Sequence, residues 1–226
     1  MSFNTQTDDS ERTISIDDCL AIGSILNSNS HIDYTVEIYN ERDREQPPGS
    51  HEWGFGQPVF VHKTIDGAGY AVMGVVYDTQ LVDPDQGRTG PRLAQTDQPQ
   101  FTPGYVEERT TLAGVALLGA APLDENGEIG EPEHSMPRWT LEVDDQVLRC
   151  PPAMTAAFHT TSDGSLQLAY VDRLVDVAGP LGAEVTIAMV ENLRECHELD
   201  QTRRRVLDVI ERNIEWQASS DRGIVR

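Results

Sequence analysis

Pro58-Val59-Phe60-Val61-His62, then Asp66-Gly67, then Tyr70-Ala71-Val72-Met73-Gly74-Val75-Val76-Tyr77 is the stretch that decides the fold. Asp-Gly between two apolar runs is a hairpin signal, because a tight hairpin turn needs residues that tolerate positive φ. The second run, which continues to Val82, is apolar on both faces, as a strand is when it lies centrally or closes a barrel. Upstream, Ile32, Tyr34, Val36 and Ile38 alternate with Asp33, Thr35 and Glu37, so one face is buried and the other wet. Before that, Ile14 to Leu26 supplies a short strand around Gly23, and Asn27-Ser28-Asn29-Ser30 reads as the turn between the two. Downstream, Thr110 to Leu118 has strand character and ends at Gly119. Trp139 to Val143 and Val147 to Leu148 form a last β segment before Pro151-Pro152. Residues 83–104, rich in Pro, Gly, Gln and Asp, read as a long loop, and Asp124 to Pro137 as another. Short strands joined by long turn-rich connections favour a small β-barrel.

Past residue 153 the period changes. After the helix-breaking pair Gly179-Pro180, Val185, Met189, Leu193 and Cys196 recur at three- and four-residue spacing. Leu199, Val206, Val209, Ile210 and Ile214 follow up to Trp216. These are amphipathic helices. The expected organisation is a tail over 1–12, a β-barrel domain over 13–152 and a helical segment over 153–226, a β+α chain.

Charge narrows the function classes. The 226 residues include 38 acidic against 17 basic ones, a net charge of -21, and Lys63 is the only lysine. One reading is a dedicated acidic surface. The other is adaptation to high internal salt, where charges are screened within about 3 Å at 1 M. The acids are dispersed and lysine is nearly absent, which favours the second, halophilic reading. Binding through nucleic-acid phosphates needs clustered Lys and Arg, so direct nucleic-acid contact is not expected. Cys19, Cys150 and Cys196, an odd number at wide spacing, form no disulfide framework and suit a reducing compartment. Met1 to Arg12 is polar and acidic rather than a signal peptide, and no run approaches the roughly 18 apolar residues of a membrane span. The expectation is a cytoplasmic protein that contacts no membrane.

Motifs for chemistry are lacking. Lys63 follows no glycine-rich turn, so no phosphate-binding loop is formed, and Gly67-Ala68-Gly69 reads as a hairpin turn. Cys196 and His197 would point about 100° apart on a helix, and Glu131, Glu133 and His134 read as a solvated loop. Gly49-Ser50-His51 lacks a nucleophile elbow, and Asp17-Asp18 would raise the pKa of Cys19 and blunt its reactivity. No catalytic residue, metal ligand or cofactor is expected. One basic cluster, Arg203-Arg204-Arg205, stands out. A ladder Asp200, Arg204, Asp208, Arg212 at i,i+4 steps is the preferred account of it, each pair contributing a few tenths of a kcal/mol. That leaves Arg203 and Arg205 over. With Val206 and Ile210 they are the residues assigned to partner contact.

The β portion resembles the HAS barrel, the N-terminal barrel of HerA-type ATPases and ATP-synthase subunits. The residues behind this are Ala21-Ile22-Gly23-Ser24-Ile25, Phe55-Gly56-Gln57-Pro58-Val59-Phe60-Val61, Gly74-Val75-Val76-Tyr77-Asp78 and Val115-Ala116-Leu117-Leu118-Gly119, with Pro151-Pro152 closing. The resemblance covers residues 20–152. In HerA-type proteins the barrel leads into an ATPase domain, whereas here it leads into helices. The resemblance therefore implies the barrel's role as a platform for a partner and not ATP hydrolysis. The expected function is a non-enzymatic adaptor or accessory subunit, contacting a HerA-type DNA-translocating ATPase or its associated nuclease. The alternative is a barrel that binds a small molecule or nucleic acid. A homo-oligomer is left open.

Overall fold

In a computed structural model of the chain, described here over residues 16–82, 110–124, 126–196 and 200–223, six strands close into a barrel. They are β1 (Ala21–Ser30), β2 (Asp33–Ile38), β3 (Pro58–Ile65), β4 (Ala68–Val82), β5 (Thr110–Leu123) and β6 (Gln146–Arg149). Their order around the wall is β1-β2-β5-β4-β3-β6, and every neighbouring pair is antiparallel. The decisive hairpin forms as read. Asp66 (φ 52°) and Gly67 (φ 83°) both take the positive φ of a tight turn, and β4 lies between β3 and β5.

Alternation sorts the side chains. Ile22, Ile25, Tyr34, Val36, Val59, Val61, Val72, Val76, Val115 and Val147 pack together as the barrel's filling. A barrel this small has room only for side chains. Residues one step out of phase, among them Phe60, Met73, Val75, Leu118 and Leu148, form a second cluster on the outside of the wall. There the helices cover them: α1 (Pro152–Phe158), α2 (Val171–Ala178), α3 (Gly182–Cys196) and α4 (Gln201–Gly223). Tyr170, Leu174, Val185, Met189, Leu193 and Leu207 share that outer cluster, so barrel and helices are built on one continuous apolar layer. No helix among the described residues is long and apolar enough to cross a membrane.

Three readings of the sequence need correction. Asn27 to Ser30 is strand, not turn: β1 pairs with β2 through irregular register up to Ser30, and the turn is His31-Ile32. Its polar residues serve the hairpin end, where the Asn29 amide donates to Asp33 (3.1 Å) and Ile32 N–H donates to the Ser30 hydroxyl (3.3 Å). Trp139 to Val143 forms no strand. It crosses the barrel mouth as a loop, held by Leu141 N–H on the Tyr34 hydroxyl (3.2 Å) and Glu142 N–H on the Asp145 carboxylate (2.7 Å). β5 does not stop at Gly119 but bends there and runs on to Leu123. The tail over 1–12 and the loop over 83–104 lie outside the described residues.

The only lysine is used in this framework. Lys63 Nζ bonds Asp145 (2.9 Å) and Glu142 (3.0 Å), tying β3 to the mouth loop. Lys63→Met should leave the mostly buried Asp145 carboxylate without its cation and cost about 1.5–3 kcal/mol, the scale of a hydrogen bond to a charged group. A urea midpoint unchanged from the parent protein would show that the clamp contributes nothing.

Candidate docking face and the polar seam beneath it

The helical layer is locked to the barrel by buried polar groups. His134 lies in the segment after β5, almost fully buried rather than in the solvated loop expected for it. Its Nε2–H donates to Phe158 O (2.9 Å), and its Nδ1 accepts Ala169 N–H (3.2 Å), which fixes the neutral tautomer. His159, with no exposed surface, donates from Nδ1 to Thr155 O (2.7 Å) and accepts the Tyr170 hydroxyl at Nε2 (2.8 Å). His134 stacks on Phe158 at 4.5 Å between ring centres, with His159 and Tyr170 edge-on or tilted around it. Arg173 of α2 completes the seam, donating from Nη2 to Leu118 O (2.7 Å) and His134 O (2.9 Å). Each of these groups would be costly to bury without its partner, so together they admit one placement of the helices.

The seam is sensitive to acid. Burial pulls the His134 pKa below its ordinary value, and Arg173 adds to this against the opposing bond to Phe158 O. A proton on Nδ1 would also cost the Ala169 bond. The unfolded chain therefore takes up the proton first. The stabilisation is fully present above about pH 6.5 and is lost as pH falls from there through the folded-state value, at up to about 1.4 kcal/mol per pH unit. Urea midpoints between pH 7 and pH 5 should fall for the parent and fall less steeply for His134→Gln. Equal slopes would remove His134 from the account.

Above the seam, α4 has two faces. Leu207 and Ile214 are buried, and Ile210 packs partly against the same outer cluster. On the opposite side, Arg205, Val209, Arg212 and Trp216 fall on one stripe at helical spacing, with Val206 at its edge. Val206 is 37% exposed, Val209 49% and Trp216 71%. Two acidic residues of α4 turn sideways, Asp208 (2.9 Å) and Glu211 (2.6 Å) binding Arg194 of α3, while Glu215 is exposed beside Trp216. The stripe is thus basic and apolar on a chain whose net charge is -21.

The sequence-assigned contact residues divide between the faces. Arg203 donates from Nε (3.1 Å) and Nη2 (2.6 Å) to Gly164 O, anchoring α4 to the turn before α2, and Ile210 belongs to the inner face. Arg205 and Val206 are exposed. The preferred charge ladder is not realised, because Asp208 is engaged by Arg194 and the Arg212 Nε bonds Asp208 O instead (2.9 Å). Val209, Arg212 and Trp216 share the exposed side with Arg205 and are not among the sequence-assigned residues. Their three- and four-residue spacing was visible, but the spacing alone does not say which apolar face of a helix meets the core.

A second feature is a groove of about 430 Å³ beside the barrel, lined by Tyr70, Pro122, Met136, Pro137, Arg138 and Trp139 among others. Tyr70 and Trp139 pack at 4.9 Å between ring centres. Among the described residues, no group of three or more His, Cys, Asp or Glu side chains is placed to hold a metal ion.

Residues 5–225 match the family described as "Domain of unknown function (DUF8166)", so the match runs through barrel and helices alike. No curated protein matches the chain.

Proposed function

The chain belongs to the DUF8166 family, and on that footing we propose that it is a non-enzymatic adaptor that offers the outer face of α4 to a protein partner. The observation that carries this reading is the stripe of Val206, Val209 and Trp216 flanked by Arg205 and Arg212. Exposed apolar side chains rimmed by charge are what docking faces are made of, and Trp and Arg are the residues most often dominant at them. The stripe's sign also selects the partner. A second copy would approach with a net charge of -21 against -21, whereas a partner with a local acidic patch complements Arg205 and Arg212. The likeness of residues 20–152 to the HAS barrel names the partner class: a HerA-type DNA-translocating ATPase or its associated nuclease.

The test is a tagged pull-down from a native high-salt lysate, with mass spectrometry of what is recovered. A HerA-type ATPase or nuclease brought down by the parent chain, and lost with Val209→Asp, supports the adaptor. Recovery of nothing, with a monomer on a sizing column, sinks it. The weight then moves to a small-molecule-binding barrel, for which the Tyr70–Trp139 groove is the specific observation.

A further inference from the structure

We propose that Cys19 and Cys150 are a dithiol pair that forms a reversible disulfide across the seam where the barrel closes, by exchange with small disulfides and thiols. The pairing follows from register. β1 and β6 run antiparallel with Ala21 opposite Leu148, and Arg149 N–H donates to Leu20 O (2.8 Å). One residue beyond that bond on each side lie Cys19 and Cys150, just past the last paired residues of the ladder: Cys19 N–H turns back to Ile16 O (3.0 Å) and Cys150 N–H goes to Pro58 O at the start of β3 (3.0 Å). Neighbouring strands lie about 4.8 Å apart, inside the roughly 4.4–6.8 Å between Cα atoms that a disulfide spans.

Their side chains share a face. Ala21, Leu148 and Cys150 belong to the outer apolar cluster, and Cys19 packs against it. All three cysteines are thiols in the structure. Burial pushes the Cys150 thiol up to about 12, and the charges of Cys19 and Cys196 add to the shift, as groups within electrostatic reach do. Cys196 closes α3 and lies on a different element, outside the β1–β6 ladder.

The chemistry is ordinary thiol–disulfide exchange. The half-buried Cys19, as thiolate, attacks one sulfur of a small disulfide RSSR, and RS⁻ leaves. Cys150 then loses its proton as its sulfur attacks the Cys19 mixed disulfide, and the second RS⁻ departs. In sum, two protein thiols and RSSR give one protein disulfide and two RSH, so RSSR is the oxidant. Burial raises both thiols, outweighing at Cys150 the Thr155 hydroxyl that donates to its Sγ (3.2 Å), which makes the exchange slow at neutral pH and the finished disulfide hard to reduce. Its structural effect is to staple the first strand to the last, where β6 contributes only Gln146–Arg149.

The test uses the full chain, reduced and then incubated with oxidised glutathione at mildly alkaline pH, alkylated and mapped by mass spectrometry. The expected result is a Cys19–Cys150 linked peptide and a Tm raised by roughly 10 °C, as closure of so long a loop implies. Cys196→Ser should retain both, and Cys19→Ala should lose both. A link from either residue to Cys196, or glutathione adducts with no Cys19–Cys150 link, overturns the proposal. The mapping is read on the parent chain, so it stands even where a Cys150 variant fails to fold.

Discussion

Gly119→Val is expected to cost about 3–5 kcal/mol, enough to unfold the protein or leave it marginal, since domains of this kind hold only about 5–15 kcal/mol. The reason lies in how closely the chain passes itself there. Across β4 and β5, Met73 pairs with Gly119 while Gly74 pairs with Leu117, so Leu118 is an extra residue and the strand bends. The bend brings the segment carrying Glu133 and His134 against the strand. Ala120 and Glu133 exchange backbone hydrogen bonds of 2.9 and 2.8 Å. A Cβ on Gly119 would sit 2.1 Å from Glu133 O and 3.0 Å from the His134 Cα, both backbone atoms that no rotamer change can move aside. Displacing them pulls His134 O off Arg173 and His134 Nε2 off Phe158 O, so the damage passes from the barrel to the helical layer. Denaturant unfolding measures the loss. Gly119→Ala, with the same clash and no further bulk, should show most of it. An alanine variant within about 1 kcal/mol of the parent would mean that the 133–134 segment gives way cheaply.

What the sequence disclosed follows from which interactions are local. The Asp66-Gly67 hairpin and the alternation of Tyr34, Val36 and Ile38 are set by neighbours two or three residues away, and they form as read. The long β5 was cut short at Gly119 because a glycine inside a strand and one at its end look alike. Only the approach of Glu133 distinguishes them. Asn27 to Ser30 misled for the same reason: turn-forming residues at an exposed hairpin end pair across the strand when the partner strand supplies the bonds. The site was less legible. His134 meets Phe158 and Ala169 at separations of 24 and 35 residues, and nothing in Glu131-Pro132-Glu133-His134 announces burial. Cys19 and Cys150, 131 residues apart in sequence, meet the same outer cluster because the neighbouring β1 and β6 close the wall beside them. For α4 the sequence showed an amphipathic helix with apolar residues on two sides, and the choice of Leu207, Ile210 and Ile214 as the inner side is made by the barrel's outer cluster.

That choice sets up the second large effect. Val209→Asp together with Arg205→Glu should weaken binding of the partner proposed for α4 by 100-fold or more, about 2.7 kcal/mol, while the Tm stays within a few degrees of the parent. Both side chains are exposed, so their replacement removes contacts to the partner and no contact to the core. The acidic pair also places like charge against an acidic partner, and that repulsion adds to the lost burial. Ile210→Asp is the contrasting variant. Ile210 lies on the inner face, so the new carboxylate would be driven between α4 and the outer cluster, and the expected loss is in stability. At 1 M salt, with charges screened within about 3 Å, the Arg205 contribution should shrink and the Val209 and Trp216 contribution persist. Affinity measured by titration at two salt concentrations therefore separates the two. A parent-like affinity for the double variant would clear the outer face of α4, and a binding loss in Ile210→Asp with its Tm intact would reassign docking to the side of α4 that carries Ile210.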